Sequence, residues 1–101
     1  MKFIVGHVRD EGAINVGRPT PLGNPFVMHG EHTRDAVCDN YEAWFNDKVA
    51  RNDERVMNQL RSIWKAGRGK EYVVLGCWCA PRRCHAETIA RYLNQFLWRK
   101  P

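Results

Sequence analysis

The run EYVVLGCWC, from Glu71 to Cys79, constrains this chain more than any other feature. It is short, rich in β-formers and apolar without alternation, which is the pattern of a strand covered on both faces. Such strands occupy the centre of parallel or mixed sheets with helices packed against them. Pro81 stops the run. A central strand of this kind commits the chain to an α/β architecture and requires helices elsewhere in the sequence to cover it.

Those helices are legible. Val37, Tyr41, Trp44, Phe45 and Val49 recur on one helical face, and Thr33 is a plausible cap for a helix running to about Ala50. Asn52 or Asp53 caps a second helix with Val56, Leu60, Ile63 and Trp64 inward, ended by Gly67 and Gly69 with Lys65 in the last turn. A last helix is expected from about Cys84 or His85 to Trp98, with Ile89, Leu93, Phe96 and Leu97 inward. Upstream, Lys2 to Val8 reads as a first strand and Ala13 to Gly17 as a second. The polar turn Arg9-Asp10-Glu11-Gly12 between them suggests a hairpin. The expectation is therefore a small single-domain α/β sandwich of two or three layers, order ββ-loop-αα-β-α, spanning 1–101, with a Rossmann-like strand-to-helix turn after the central strand.

At 101 residues the chain has the size of one domain. No apolar stretch approaches the ~20 residues that span a membrane, and the apolar start at Met1 to Val8 lacks a cleavage pattern. The expected location is thus a reducing cytoplasm, where the four cysteines read as thiols, ligands or nucleophiles rather than disulfides. The formal charge of +5 favours an anionic partner.

Two segments carry chemistry. In CWCAPRRCH (Cys77 to His85) the extended start puts Cys77 and Cys79 on one face, and the chain then turns into a helix. Ligands gather at such turns, where helix N–H groups attract anions. Arg82 and Arg83 add charge to the same turn. A thiol at this helix start, beside arginines and His85, should be acidified, so Cys84 is the candidate nucleophile. His85 is its candidate base, and Glu87, one turn on, a candidate acid or base. Cys77 also reads simply as a small buried hydrophobe. Zinc on Cys77, Cys79, Cys84 and His85 is the competing reading, although the spacing C-x-C-x4-C-H is not that of paired knuckles, and adjacent Cys and His seldom share a tetrahedron. No cofactor is the first expectation and zinc the runner-up. His7, His29, His32 and Cys38 could complete a partial ligand set.

In GRPTPLGNPF (Gly17 to Phe26) three prolines exclude helix and strand, yet Leu22, Phe26, Val27 and Met28 argue for a loop packed on the body. Gly17 and Gly23 permit close backbone approach, Pro19 stiffens the loop, and Asn24 before Pro25 is held extended. Arg18 is the natural anion clamp. Gly17, Arg18, Pro19, Gly23, Asn24, Cys79, Arg82 and Arg83 are therefore the candidate ligand-binding residues. No Walker-type or dinucleotide glycine fingerprint is present.

Together, Gly17 to Phe26 and the downstream Cys77-Trp78-Cys79-Ala80-Pro81 and Cys84-His85 resemble a family of small phage and bacterial proteins known as a domain of unknown function (DUF4326-like). The resemblance covers most of the chain. Members usually follow Cys-His with Gly and an acid; here Ala86 stands at the glycine and Glu87 keeps the acid. The resemblance implies a phage or prophage origin, hence a host cytoplasm, and one site shared by both motifs.

The functional expectation is a small protein that binds or processes a nucleotide, nucleoside or similar phosphorylated metabolite, with turnover left open. The alternatives are an accessory protein that binds nucleic acid through its basic surface and the Arg99-Lys100 tail, with zinc as a stabiliser, or one that binds a host factor through Phe96, Leu97 and Trp98. No membrane partner is expected, and the chain reads as a monomer or homodimer.

Overall fold

A computed structural model describes residues 2–99, with side chains through residue 95. The elements are β1 (Lys2–His7), β2 (Ile14–Asn15), a short 3-10 turn at Glu31–Thr33, α1 (Arg34–Ala50), α2 (Glu54–Ala66), β3 (Tyr72–Cys77) and α3 (Ala86–Arg99). The chain is a mixed α/β domain in the expected element order. Its strands form one parallel sheet, β1-β3-β2, with the apolar run from Glu71 at its centre.

Phe3 of β1 and Val73, Leu75 and Cys77 of β3 are buried, and they meet Tyr41, Phe45, Val56, Leu60, Ile63, Ile89 and Leu93 from the three helices. Ile4 and Tyr72 on the opposite face are exposed, so the helices gather on one side and the arrangement is two-layered. Asn94 of α3 ties the edge strand to this layer: its amide accepts from Phe3 N–H at 2.8 Å and donates to Phe3 C=O at 2.9 Å. The periodicity of α2 and α3 is thus the periodicity of their buried faces. Asp53 caps α2 by accepting from Val56 N–H at 3.1 Å. Thr33 occupies the cap position of α1, but its hydroxyl turns back to donate to Gly30 C=O at 2.8 Å.

The hairpin expected between β1 and β2 does not form. Both strands run parallel to β3 and flank it, so residues 8–13 cross over the central strand instead of turning back. The crossing passes at Gly76. A Cβ there would lie 2.9 Å from Val8 Cα and 3.2 Å from Ala13 Cβ, so the missing side chain is what lets the chain over. Val8 N–H still donates to Cys77 C=O at 3.3 Å, and Val16 N–H to Gly76 C=O at 3.2 Å, which fastens both ends of the crossing to β3. The crossing also explains the cover on the second face of β3, which the apolar run had suggested would come from helices. A polar turn containing Gly12, whose φ is +75°, serves a crossover as readily as a hairpin.

Among the described residues, no helix is long and apolar enough to cross a membrane. The side chains of Phe96, Leu97 and Trp98, and the Arg99-Lys100 tail, lie outside those described, so the host-factor and tail readings have no structural counterpart here.

Candidate functional site

The parallel sheet brings the carboxyl ends of β1, β2 and β3 together, and both motifs begin there. Chain leaving β2 becomes the loop Gly17 to Phe26. Chain leaving β3 becomes the turn into α3. The Arg18–Pro19 and Ala80–Pro81 bonds, one in each motif, are cis. The loop is moored from below: Leu22 N–H donates to Gln59 Oε1 at 2.8 Å, and the buried Tyr41 hydroxyl donates to Leu22 C=O at 2.7 Å. Burial holds the Tyr41 hydroxyl well above the usual tyrosine range, so it remains a donor. Tyr41→Phe strands the Leu22 carbonyl, and a loss of about 1–2 kcal/mol in denaturant unfolding is expected.

Between the two motifs lies a cleft of about 270 Å³. Gly17, Arg18, Asn24 and Phe26 form one wall, Trp78, Cys79 and Arg83 another, and Cys77, Cys84 and His85 the floor. Helix α1 closes it with Arg34, Val37 and Cys38. Of the residues singled out in the sequence, Gly17, Arg18, Asn24, Cys77, Cys79, Arg83, Cys84 and His85 meet here, while Pro19, Gly23, Arg82 and Glu87 stand outside the lining. Gly23 sits directly behind Arg18: a Cβ on it would lie 2.7 Å from Arg18 N. His7, His29 and His32 also lie outside the lining. A second depression of about 370 Å³ between α2 and α3, lined by Met57, Leu60, Trp64 and Leu93, gathers nothing from either motif.

The floor is tightly organised. His85 is 8% exposed, stacks edge-on against Tyr41 at 5.0 Å, and places Nε2 2.8 Å from Val16 C=O. A carbonyl only accepts, so Nε2 carries the proton and Nδ1 presents its lone pair, 4.0 Å from Cys77 Sγ. Cys77, Cys84 and His85 form a group whose ligand atoms all lie within 4.8 Å of one another. Residues 84 and 85 precede the first residue of α3, and at this turn the two adjacent side chains converge. Cys79 is not part of this tight group. It lines the cleft and donates its N–H to Cys77 Sγ at 3.4 Å.

The expected acidification of Cys84 is reversed. Cys77 is the lowered thiol, because Cys84 S–H donates to it, with His85 and the Cys79 N–H adding to this against the cost of burial. Cys84 is pushed up, first by holding that shared proton and then by burial. The arginines do not counter this, because they are occupied. Arg82 pairs with Glu31 at 3.3 Å, and Arg83 with Asp35 at 3.0 Å and Asp39 at 2.8 Å. Arg34 was not singled out by any motif. It is buried, forks onto both Glu31 oxygens and donates to Arg83 C=O at 2.9 Å, fixing the turn between β3 and α3 to α1. Its pairing with Glu31, and next its bond to Cys79, hold its guanidinium charged. Arg18 is exposed and has no ion-pair partner among the described residues. Trp78 is 62% exposed at the rim, near Gly17, with His7 edge-on at 5.6 Å and the Arg9 guanidinium 5.6 Å from its ring.

No curated protein and no solved structure matches the chain. A family model matches residues 5–95, from within β1 to within α3 and including both walls of the cleft, and the chain therefore belongs to the family described as a domain of unknown function, DUF4326.

Proposed function

We propose that the cleft binds a small phosphorylated metabolite of nucleotide type. The observation that carries this reading is Arg18, the cleft arginine with no carboxylate partner among the described residues, while Arg83 and Arg34 across from it are paired with Asp35, Asp39 and Glu31. An unpaired guanidinium on a stiff loop, at the carboxyl ends of parallel strands, suits a phosphate. Trp78 adds an exposed flat ring at the rim against which a base can stack. The volume of about 270 Å³ suits one nucleoside phosphate rather than a dinucleotide. Cys77, Cys84 and His85 form the floor beneath such a ligand. Glu87 stands outside the lining and has no part in this reading.

A thermal-shift panel of nucleoside mono-, di- and triphosphates with their free nucleosides tests the reading. A phosphorylated member is expected to raise the melting temperature while its nucleoside does not, and Arg18→Ala is expected to abolish the shift without lowering the melting temperature of the free protein. If no phosphorylated ligand shifts the melt, and salt-sensitive binding to DNA or RNA is seen instead, the nucleotide reading fails and the nucleic-acid alternative takes its place.

A further inference from the structure

We propose that Cys77, Cys84 and His85 hold one divalent ion of the zinc class, with its fourth coordination position open to the cleft. The inference stands on the floor geometry and does not depend on what the cleft binds. Three soft ligand atoms lie within 4.8 Å of one another on residues that are each less than a tenth exposed. A tetrahedral zinc with Zn–S of about 2.3 Å and Zn–N of about 2.0 Å sets sulfur and nitrogen about 3.5 Å apart. Cys77 Sγ and His85 Nδ1 are 4.0 Å apart, so this pair closes by about half an ångström onto an ion.

Two of the three ligands, His85 and Cys77, are already held by partners of the kind that orient metal ligands. His85 commits Nε2–H to the Val16 carbonyl at 2.8 Å, which leaves Nδ1 facing the sulfurs. Cys77 Sγ accepts the Cys79 N–H at 3.4 Å. A histidine locked in the tautomer whose free nitrogen points at two cysteines has little use in plain packing. The donor set of two sulfurs and one imidazole selects zinc, cobalt or copper(I) over magnesium or calcium.

Three protein ligands leave a tetrahedral ion one vacancy, the arrangement of a reactive rather than a purely structural site. All three residues line the cleft, so the vacancy faces its interior. Cys79 lines the cleft as well, yet it falls outside the tight group and its thiol lies beside Arg34. It therefore supplies its N–H and not its sulfur. Two thiolates and a neutral imidazole balance a divalent ion, so the occupied floor carries no net charge.

The test is a titration of the reduced, metal-free full chain with cobalt(II) chloride, followed by visible absorption. The expected result is one equivalent bound, with the intense bands of a tetrahedral thiolate-ligated ion, displaced by zinc. Cys77→Ser and His85→Gln are each expected to weaken binding by more than about 100-fold, the upper figure for loss of a mere outer partner. Cys38→Ser and Cys79→Ser are expected to keep the bands. Imidazole added to the cobalt form is expected to change them by entering the open position. Zinc is also expected to raise the melting temperature of the wild type but not that of His85→Gln, which separates a lost ligand from a lost fold. Absence of tetrahedral bands, or bands indifferent to Cys77→Ser and His85→Gln, overturns the site. Loss of the bands in Cys79→Ser, or bands unmoved by imidazole, overturns the open position.

Discussion

Gly76→Ala is expected to lower the unfolding free energy by about 2–3 kcal/mol, at the upper end of what overpacking costs. The added methyl would meet Val8 Cα at 2.9 Å, Ala13 Cβ at 3.2 Å and Val8 Cγ1 at 3.3 Å. The first of these is backbone and cannot swing aside as a side-chain tip would. It belongs to the crossing that joins β1 to β2, and that crossing is fastened at both ends to β3 by the Val8 and Val16 amides. Relief must come from lifting residues 8–13 off the sheet, which breaks those bonds. The loss is a large share of the ~5–15 kcal/mol by which a domain of this size is stable. Urea unfolding of the variant, read as a fall in midpoint at unchanged slope, checks it. A variant as stable as the wild type would mean that the chain does not cross over Gly76.

Gly23→Ala is expected to damage both the fold and the cleft. Here the methyl would meet Arg18 N at 2.7 Å and Arg18 Cα at 2.8 Å. Gly23 is buried and bound through its own N–H to Thr20 C=O at 2.9 Å, so the loop cannot relieve the contact without opening its turn. Arg18 then moves with its backbone. The expected outcome is a stability loss of about 1–3 kcal/mol together with ligand binding weakened by about tenfold or more, the share of one charge-assisted hydrogen bond. Arg18→Ala differs from it in an informative way, because it removes the charge without touching the packing. Isothermal titration and urea unfolding on both variants separate position from charge. Gly23→Ala protein with full affinity would show that the loop does not set the place of Arg18.

Much of this was legible in the sequence because single elements declare themselves locally. The run from Glu71 named the central strand, and the apolar spacing in Glu54–Ala66 and Ala86–Arg99 named two helices. The two motifs met as expected, since each begins where a strand of the same parallel sheet ends. Pairing partners did not declare themselves. A polar turn ending in glycine looks alike in a hairpin and in a crossover, and only the neighbour of β1 tells them apart. The glycine that decides it, Gly76, lies far downstream in another strand. The same distance hid the carboxylates. Asp35, Asp39 and Glu31 stand on or just before α1, so nothing around Arg82 and Arg83 announced that both were already paired. Arg34 has no motif around it, and its role follows only from where α1 packs. The thiol order was hidden for a related reason: Cys84 sits next to charged residues in sequence, but in space its thiol is grouped with Cys77 and His85.

The most direct test of the central claim is equilibrium binding of a nucleoside monophosphate and of its own nucleoside to wild-type protein and to Arg18→Ala. The account predicts that the phosphate makes the ligand bind about 10–100 times more tightly to the wild type, the worth of a charge-assisted contact, and that this advantage disappears in Arg18→Ala. Equal affinity for the two ligands in the wild type, or an advantage that survives in Arg18→Ala, would contradict it.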